Sequence, residues 1–272
     1  MKKILSVIII ITILTGMLFV LSVCESSNSS DSTTNTTTTN AINKTSNENT
    51  VETTNANSTE KEESGGLNVD YKANAEKQMA MPQKGEQVAI MHVKDFGDIK
   101  FKFFPEVAPK AVENFLTHAK EGYYNGVIFH RVMNEFMIQG GDPEGTGFGG
   151  ESIWGKGFEL EVDYSVLPYR GSLCMARSTD PNSNGSQFFI TQANYNASVA
   201  KQLSKYPSIV EQYEKYGGYM GLWMNYTVFG QVYEGMDVVD SIAKTEVRMS
   251  DSGEKSVPVK DVVIDSIDVM TY

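Results

Sequence analysis

The chain divides by the spacing of its apolar positions. An almost uncharged run from Ile4 to Val23 follows Lys2 and Lys3, long enough for a membrane-spanning helix, which needs about 20 such residues. From Glu25 to Gly66 apolar positions nearly vanish, and SSNSSDSTTNTTTTN sets the tone. Such a stretch cannot bury enough apolar surface to offset its ordering entropy, and is expected to be disordered. Regular patterning begins at Val88. VAIMHV and IKFKFF flank the turn Asp95–Asp98, with Ile99, Phe101 and Phe103 alternating onto one face, which predicts a hairpin. PEVAPKAVENFLTHAKEG predicts a helix. Pro109 suits its first turn, Val112, Phe115, Leu116 and Ala119 form an apolar stripe, and Gly122 suits its C-terminal end. His118, near that end, reads as a solvated residue favoured by the helix dipole.

Short β-type runs follow between Gly-rich turns: VIFHRV, FMIQGG, SLCMAR, SQFFIT and TVFGQV. MDVVDSIAKTE predicts a second helix and DVVIDSIDV a last strand. Many strands, two separated helices and no βαβ alternation predict a mainly β fold, a closed antiparallel barrel capped by two α-helices. Two stretches add helical pattern. Residues 67–86 have room for a short helix before Pro82, and 194–220 hold NASVAKQLSKY and PSIVEQYEKYGG. In that insertion Val199, Leu203, Ile209, Val210 and Tyr213 are candidates for a buried face. The division expected is 1–23 targeting segment, 24–66 tether, 67–86 extension and 87–272 folded domain.

Charge and cysteine usage narrow the function. A net charge of −11 argues against nucleic acid or anionic lipid as partner. The domain holds one cysteine, Cys174, with apolar or small neighbours, so it carries no internal disulfide and a buried structural thiol is expected. No metal-ligand spacing, phosphate loop or internal repeat is present, and no cofactor is expected. The basic start, apolar run and abrupt polar change are the pattern of an export signal. Leu21-Ser22-Val23-Cys24 resembles the lipobox of bacterial lipoproteins, which implies lipidation of Cys24; Val23 departs from the small residue usual before the cysteine. An uncleaved signal anchor and free secretion are the alternatives, and all three place the domain outside the cytoplasm.

The densest chemical signal is FHRVMNEFMIQGGDPEGTGFGG, residues 129–150, joined by MARSTDPNSNGSQFFIT, 175–191, and YTVFGQVYEGMDVVDSI, 226–242. With APKAVENF and GYYNGVIFHRV upstream, these strings closely resemble the cyclophilins over about residues 86–270. The resemblance implies an eight-stranded antiparallel barrel and peptidyl-prolyl cis/trans isomerase activity. That reaction breaks no bond. Amide resonance sets a barrier of about 18–20 kcal/mol, and X–Pro bonds exchange over tens to hundreds of seconds. The enzyme must bind the twisted amide better than either planar form, and a 10⁵-fold acceleration requires roughly 7 kcal/mol of such difference. A rigid cationic donor beside an apolar pocket for the ring meets that need.

Arg131 is the candidate donor. Strict alternation along VIFHRV would put it on one face with Phe129, and His130 with Val132 on the other. The resemblance implies that Arg131 is the catalytic arginine, with Gln139 orienting it and bonding the substrate backbone. It also implies a proline pocket of Phe136, Met137, Phe189 and Leu222, with Gln187 in the groove, Ala176 and Arg177 at its edge and Gly147 in the Gly-rich loop. Ordinary core packing and turn geometry are the plain alternatives for the apolar and glycine positions.

Three places depart from the family pattern, one of them the usual Leu-Asp-Gly turn before the Tyr226 strand, which GLWMN replaces. Tyr226 stands where many members have histidine, which predicts altered rather than absent activity. Gly221 replaces a tryptophan on which the inhibitor cyclosporin leans, with Trp223 displaced by two positions, which predicts weak inhibition. The insertion 194–220 enters beside the pocket residues, either restricting which proteins enter or lying harmlessly on the surface. The expected role is a monomeric extracytoplasmic foldase acting on proline-containing exported polypeptides. A tethered, non-catalytic peptide-binding or chaperone module is the second reading, and a solute-binding lipoprotein the third.

Overall fold

A computed structural model describes residues 69–197 and 205–272. The targeting segment, the tether with Cys24, and Val199 and Leu203 of the insertion lie outside the described residues. Strand β1 (Gln87–Val93) turns through Lys94–Phe96 into β2 (Gly97–Phe103), with Val88 opposite Lys102 and Val93 opposite Gly97. Ile99, Phe101 and Phe103 are buried together, as their alternation predicts. Helix α1 (Tyr71–Met79) precedes the hairpin and α2 (Pro109–Lys120) follows it, with Pro109 in the first turn of α2. Gly122, just past the end of α2, takes a φ of +72°, a conformation glycine adopts without strain.

The remaining strands of the large sheet are β3 (Arg131–Met133), β4 (Met137–Gly140), β5 (Ser172–Met175), β6 (Phe188–Thr191), β7 (Val228–Glu234) and a last one, Ile264–Thr271. Between the latter two lie helix α4 (Met236–Ala243), preceded in the chain by α3 (Pro207–Tyr216), and a hairpin of β8 (Val247–Met249) and β9 (Lys255–Pro258). Counting the last strand as β10, the sheet runs β10-β1-β2-β7-β5-β6-β4-β3, antiparallel throughout and curled into a half-barrel. Its edges meet at one bridge, Ile128 to Val263, flanked by Phe129 N–H donating to Val262 O at 2.9 Å. The eight-stranded antiparallel fold expected from the sequence is present, closed by that bridge rather than by a ladder.

Phe115 of α2 plugs the curl. Its ring lies 5.2 Å from Tyr124, 5.4 Å from Phe188 and 5.5 Å from Phe229, centroid to centroid. Truncating so buried a phenylalanine costs about 3–5 kcal/mol. His118 lies one turn on and is buried too, correcting the solvated reading. Tyr123 folds back over it at 4.0 Å, and its Nε2 lies 3.0 Å from Glu151 O. Burial therefore lowers its pKa, outweighing the opposing hydrogen bond to the Glu151 carbonyl.

A second core joins α1 to α3. Tyr71 and Ala75 of α1 pack with Ile209 and Tyr213 of α3 and with Leu167, Tyr169 and Met220. Gln78 anchors α1 to the barrel wall, donating to Leu167 O at 2.8 Å and accepting from Leu167 N–H at 3.0 Å. In α3, Ile209 and Tyr213 are buried as expected, Val210 is half-buried, and Gln212 takes the third inward place.

Candidate active site

Strand register assembles the groove. Arg131 on β3 faces Gln139 on β4, and Gln139 faces Phe189 on β6. Phe129 departs from the expected alternation. It lies before β3 and packs in the main core with Val132, while Arg131 and Met133 point the other way. The regular pleat begins only at Arg131, so parity counted from Phe129 misplaces that ring.

On this outer face Met137, Phe189, Leu222, Val228, Phe104 and Cys174 make a buried apolar floor. Phe136, Tyr219, Tyr226 and Ala176 pack around it, half-buried. Burial pushes the Cys174 thiol up to about 12, so it is an inert part of that floor. Phe136 immediately precedes β4, and its carbonyl accepts from Gln192 N–H at 2.8 Å and Ala193 N–H at 3.1 Å. Leu222 ends a 3₁₀ turn, Met220–Leu222, and Tyr226 follows with its ring edge-on to Phe189 at 5.4 Å.

A polar line crosses the groove. Arg131 Nη1 donates to Gln139 Oε1 at 3.3 Å, Gln139 Nε2 to Gln187 Oε1 at 3.0 Å, and Gln187 Nε2 to Gly149 O at 2.8 Å. The guanidinium carbon lies 5.9 Å from the Phe136 ring centre. A permanently charged, planar donor thus stands at the rim of an apolar hollow. Arg177 is spent on structure, its Nε bonding Asn225 O at 2.7 Å and its head lying 5.3 Å from the Tyr226 ring. Ala176 N–H is committed to Gln187 O at 2.9 Å, which ties the groove edge to β6.

Two residues that the sequence reading passed over organise this site. Asp142, fully buried, accepts from the N–H groups of Glu144, Thr146, Gly147 and Gly149 at 2.7–3.2 Å, and so shapes the Gly-rich loop. Burial acts to raise its pKa, but these donors outweigh it and hold the carboxyl below the usual range. Gly147, with a φ of +82°, gives the loop its turn. Glu254, at the mouth of the β8–β9 hairpin, takes Arg131 Nε at 2.6 Å and Nη2 at 2.8 Å. An aspartate after Gly-Gly was a usable signal for the loop; nothing in the spacing ties Glu254 to Arg131.

The folded part of the chain, in which this groove lies, is similar to known proteins. A family model described as cyclophilin type peptidyl-prolyl cis-trans isomerase/CLD matches residues 88–269. A Staphylococcus aureus (strain USA300) protein named "Putative peptidyl-prolyl cis-trans isomerase" is 49% identical over 191 residues, 69% of this chain and 93% of that one. A Staphylococcus saprophyticus protein of the same name is 47% identical over 190 residues, 68% and 93% of the two chains. The crystal structure of a Cryptosporidium parvum cyclophilin type peptidyl-prolyl cis-trans isomerase superposes with a TM-score of 0.54 at 32% identity, covering 69% of this chain and 99% of that one. A second crystal structure of that protein, determined in the presence of the dipeptide Ala-Pro, gives the same TM-score and identity over 68% of this chain.

Proposed function

The chain belongs to the cyclophilin-type peptidyl-prolyl cis-trans isomerases, and we propose that it turns over X–Pro bonds of exported polypeptides in the groove beside Arg131. The observation that supports this placement is the Arg131 guanidinium set beside Phe136, over a floor of Met137, Phe189 and Leu222. A prolyl ring seated on that floor brings its nitrogen toward a fixed cation. As the amide twists, resonance is lost and the lone pair localises on that nitrogen. Donation from the guanidinium then favours the twisted form over both planar ones, which is the difference catalysis requires. Gln139 keeps the head from rotating away. No proton is transferred and no covalent intermediate is formed. Phe189 and Tyr226 supply the edge-to-face wall against which the ring turns.

The setting is proposed from the N-terminal part of the chain. Lys2, Lys3, the apolar run to Val23 and the polar 25–66 segment support export with retention at the outer face of a bacterial cytoplasmic membrane. Cys24 is the proposed lipid-bearing residue. Mass spectrometry of membrane-extracted protein tests this: an acylated Cys24 as N-terminus supports the anchor, and an intact Met1 replaces it with an uncleaved signal.

A further inference from the structure

The fork that Glu254 makes on Arg131 uses two of the five guanidinium N–H groups, and Gln139 takes a third. The remaining donors of the head face sulfur: Met133 Sδ lies 3.2 Å from Nη2 and Met137 Sδ 3.8 Å from Nη1. Thioethers are weak acceptors, so a substrate nitrogen or carbonyl displaces them, and takes over the donors that face them, at least cost.

Glu254 is itself held. Ser250 N–H donates to Glu254 O at 2.8 Å, Glu254 N–H to Ser250 Oγ at 3.2 Å, and Gly253 turns the chain with a φ of +86°. The carboxylate therefore arrives from a built turn rather than from a wandering side chain. Both partners are partly shielded, with side-chain exposures of 27% and 29%. A two-point fork of this kind is stronger and more directional than a single contact.

We infer that Glu254 is the positioning residue of the isomerisation: it locks the Arg131 plane so that the donors not bound by Glu254 and Gln139 face the groove. The inference rests on the proposed role of Arg131. Glu254 acts by removing rotational freedom from the guanidinium before the amide twists, so its loss is felt in the transition state more than in ground-state binding.

The test uses the full-length chain in mild detergent with an X–Pro peptide, comparing wild type, Glu254→Gln, Glu254→Ala and Arg131→Ala. Glu254→Gln keeps the size of the side chain but cannot close the fork, and should lower kcat about tenfold with KM within about twofold. Glu254→Ala should lose at least as much. Arginine side-chain NMR supplies the second reading. In wild type the Arg131 Nε–H should be a distinct, slowly exchanging signal, and in both Glu254 variants it should exchange freely. A kcat at or above wild type in Glu254→Gln overturns the proposal, as does a fall carried by KM alone or one that leaves the Nε–H signal unaltered. Wild-type turnover by Arg131→Ala defeats the placement of the site itself, which is a separate failure.

Discussion

Tyr219 stands edge-on to Phe136, with ring centroids 4.9 Å apart and planes at 63°. That contact brings the C-terminal end of the 194–220 insertion to the rim of the groove, since Tyr219 directly follows helix α3 and its Gly217-Gly218 turn. Helix α3 is braced by α1, so the N-terminal extension indirectly supports the pocket wall. An edge-to-face pair is worth about 0.5–1.5 kcal/mol, so Tyr219→Ala should reduce kcat/KM on a short X–Pro peptide roughly fivefold. We propose that the insertion also limits which unfolded proteins enter. Deleting it should alter the rate on a proline-limited refolding protein more than on a tetrapeptide. Unchanged refolding rates would leave it a surface decoration.

His130 carries a pH signature. Its ring is buried and neither nitrogen meets a hydrogen-bond partner among the described residues, and burial lowers its pKa from 6.5 to about 4. A folded-state pKa below the unfolded one means the native state resists protonation. The contribution is full above pH 6.5 and drains away as pH falls toward 4, to a limit of about 3 kcal/mol. His92 works the opposite way, because hydrogen bonding to Asp98 raises its pKa. Urea unfolding at pH 7 and pH 4.5 should therefore show a smaller loss in His130→Phe than in wild type. Equal losses would mean that another group governs the acid limb.

Much of the fold was legible because its signals are local. Alternation in IKFKFF, the stripe on α2 and the proline that starts it each follow from neighbouring residues, and the structure keeps all three. His118 misled because helix position alone ignores what packs from outside; Tyr123 arrives through a turn that periodicity does not report. Arg131, Gln139 and Phe189 were legible as motifs, and the register now sets them side by side. Glu254 was not, since 123 residues separate it from Arg131 and β8–β9 is too short to announce itself.

Inhibitor binding follows from Gly221 and its surroundings. A Cβ at this position would lie 2.8 Å from the Tyr219 ring, so a tryptophan here requires Tyr219 to move. Trp223 does not replace it. Its indole packs against Tyr71 at 6.4 Å and Tyr164 at 5.8 Å, in the second core. Cyclosporin should bind weakly in a calorimetric titration, and tight binding would show that this ring is dispensable.

In the proposed mechanism a fixed Arg131 beside an apolar pocket lowers the barrier to X–Pro rotation. The direct measurement is the isomerisation rate of a short X–Pro peptide with wild type and Arg131→Ala, both checked for folding by circular dichroism. Wild type should accelerate the exchange clearly and the variant should lose roughly 100-fold or more, the scale on which a transition-state donor acts. Equal rates in the two proteins would contradict it. No acceleration by a folded wild-type chain would turn the groove into a peptide-binding site, with Tyr226 and the 194–220 insertion as the first places to look.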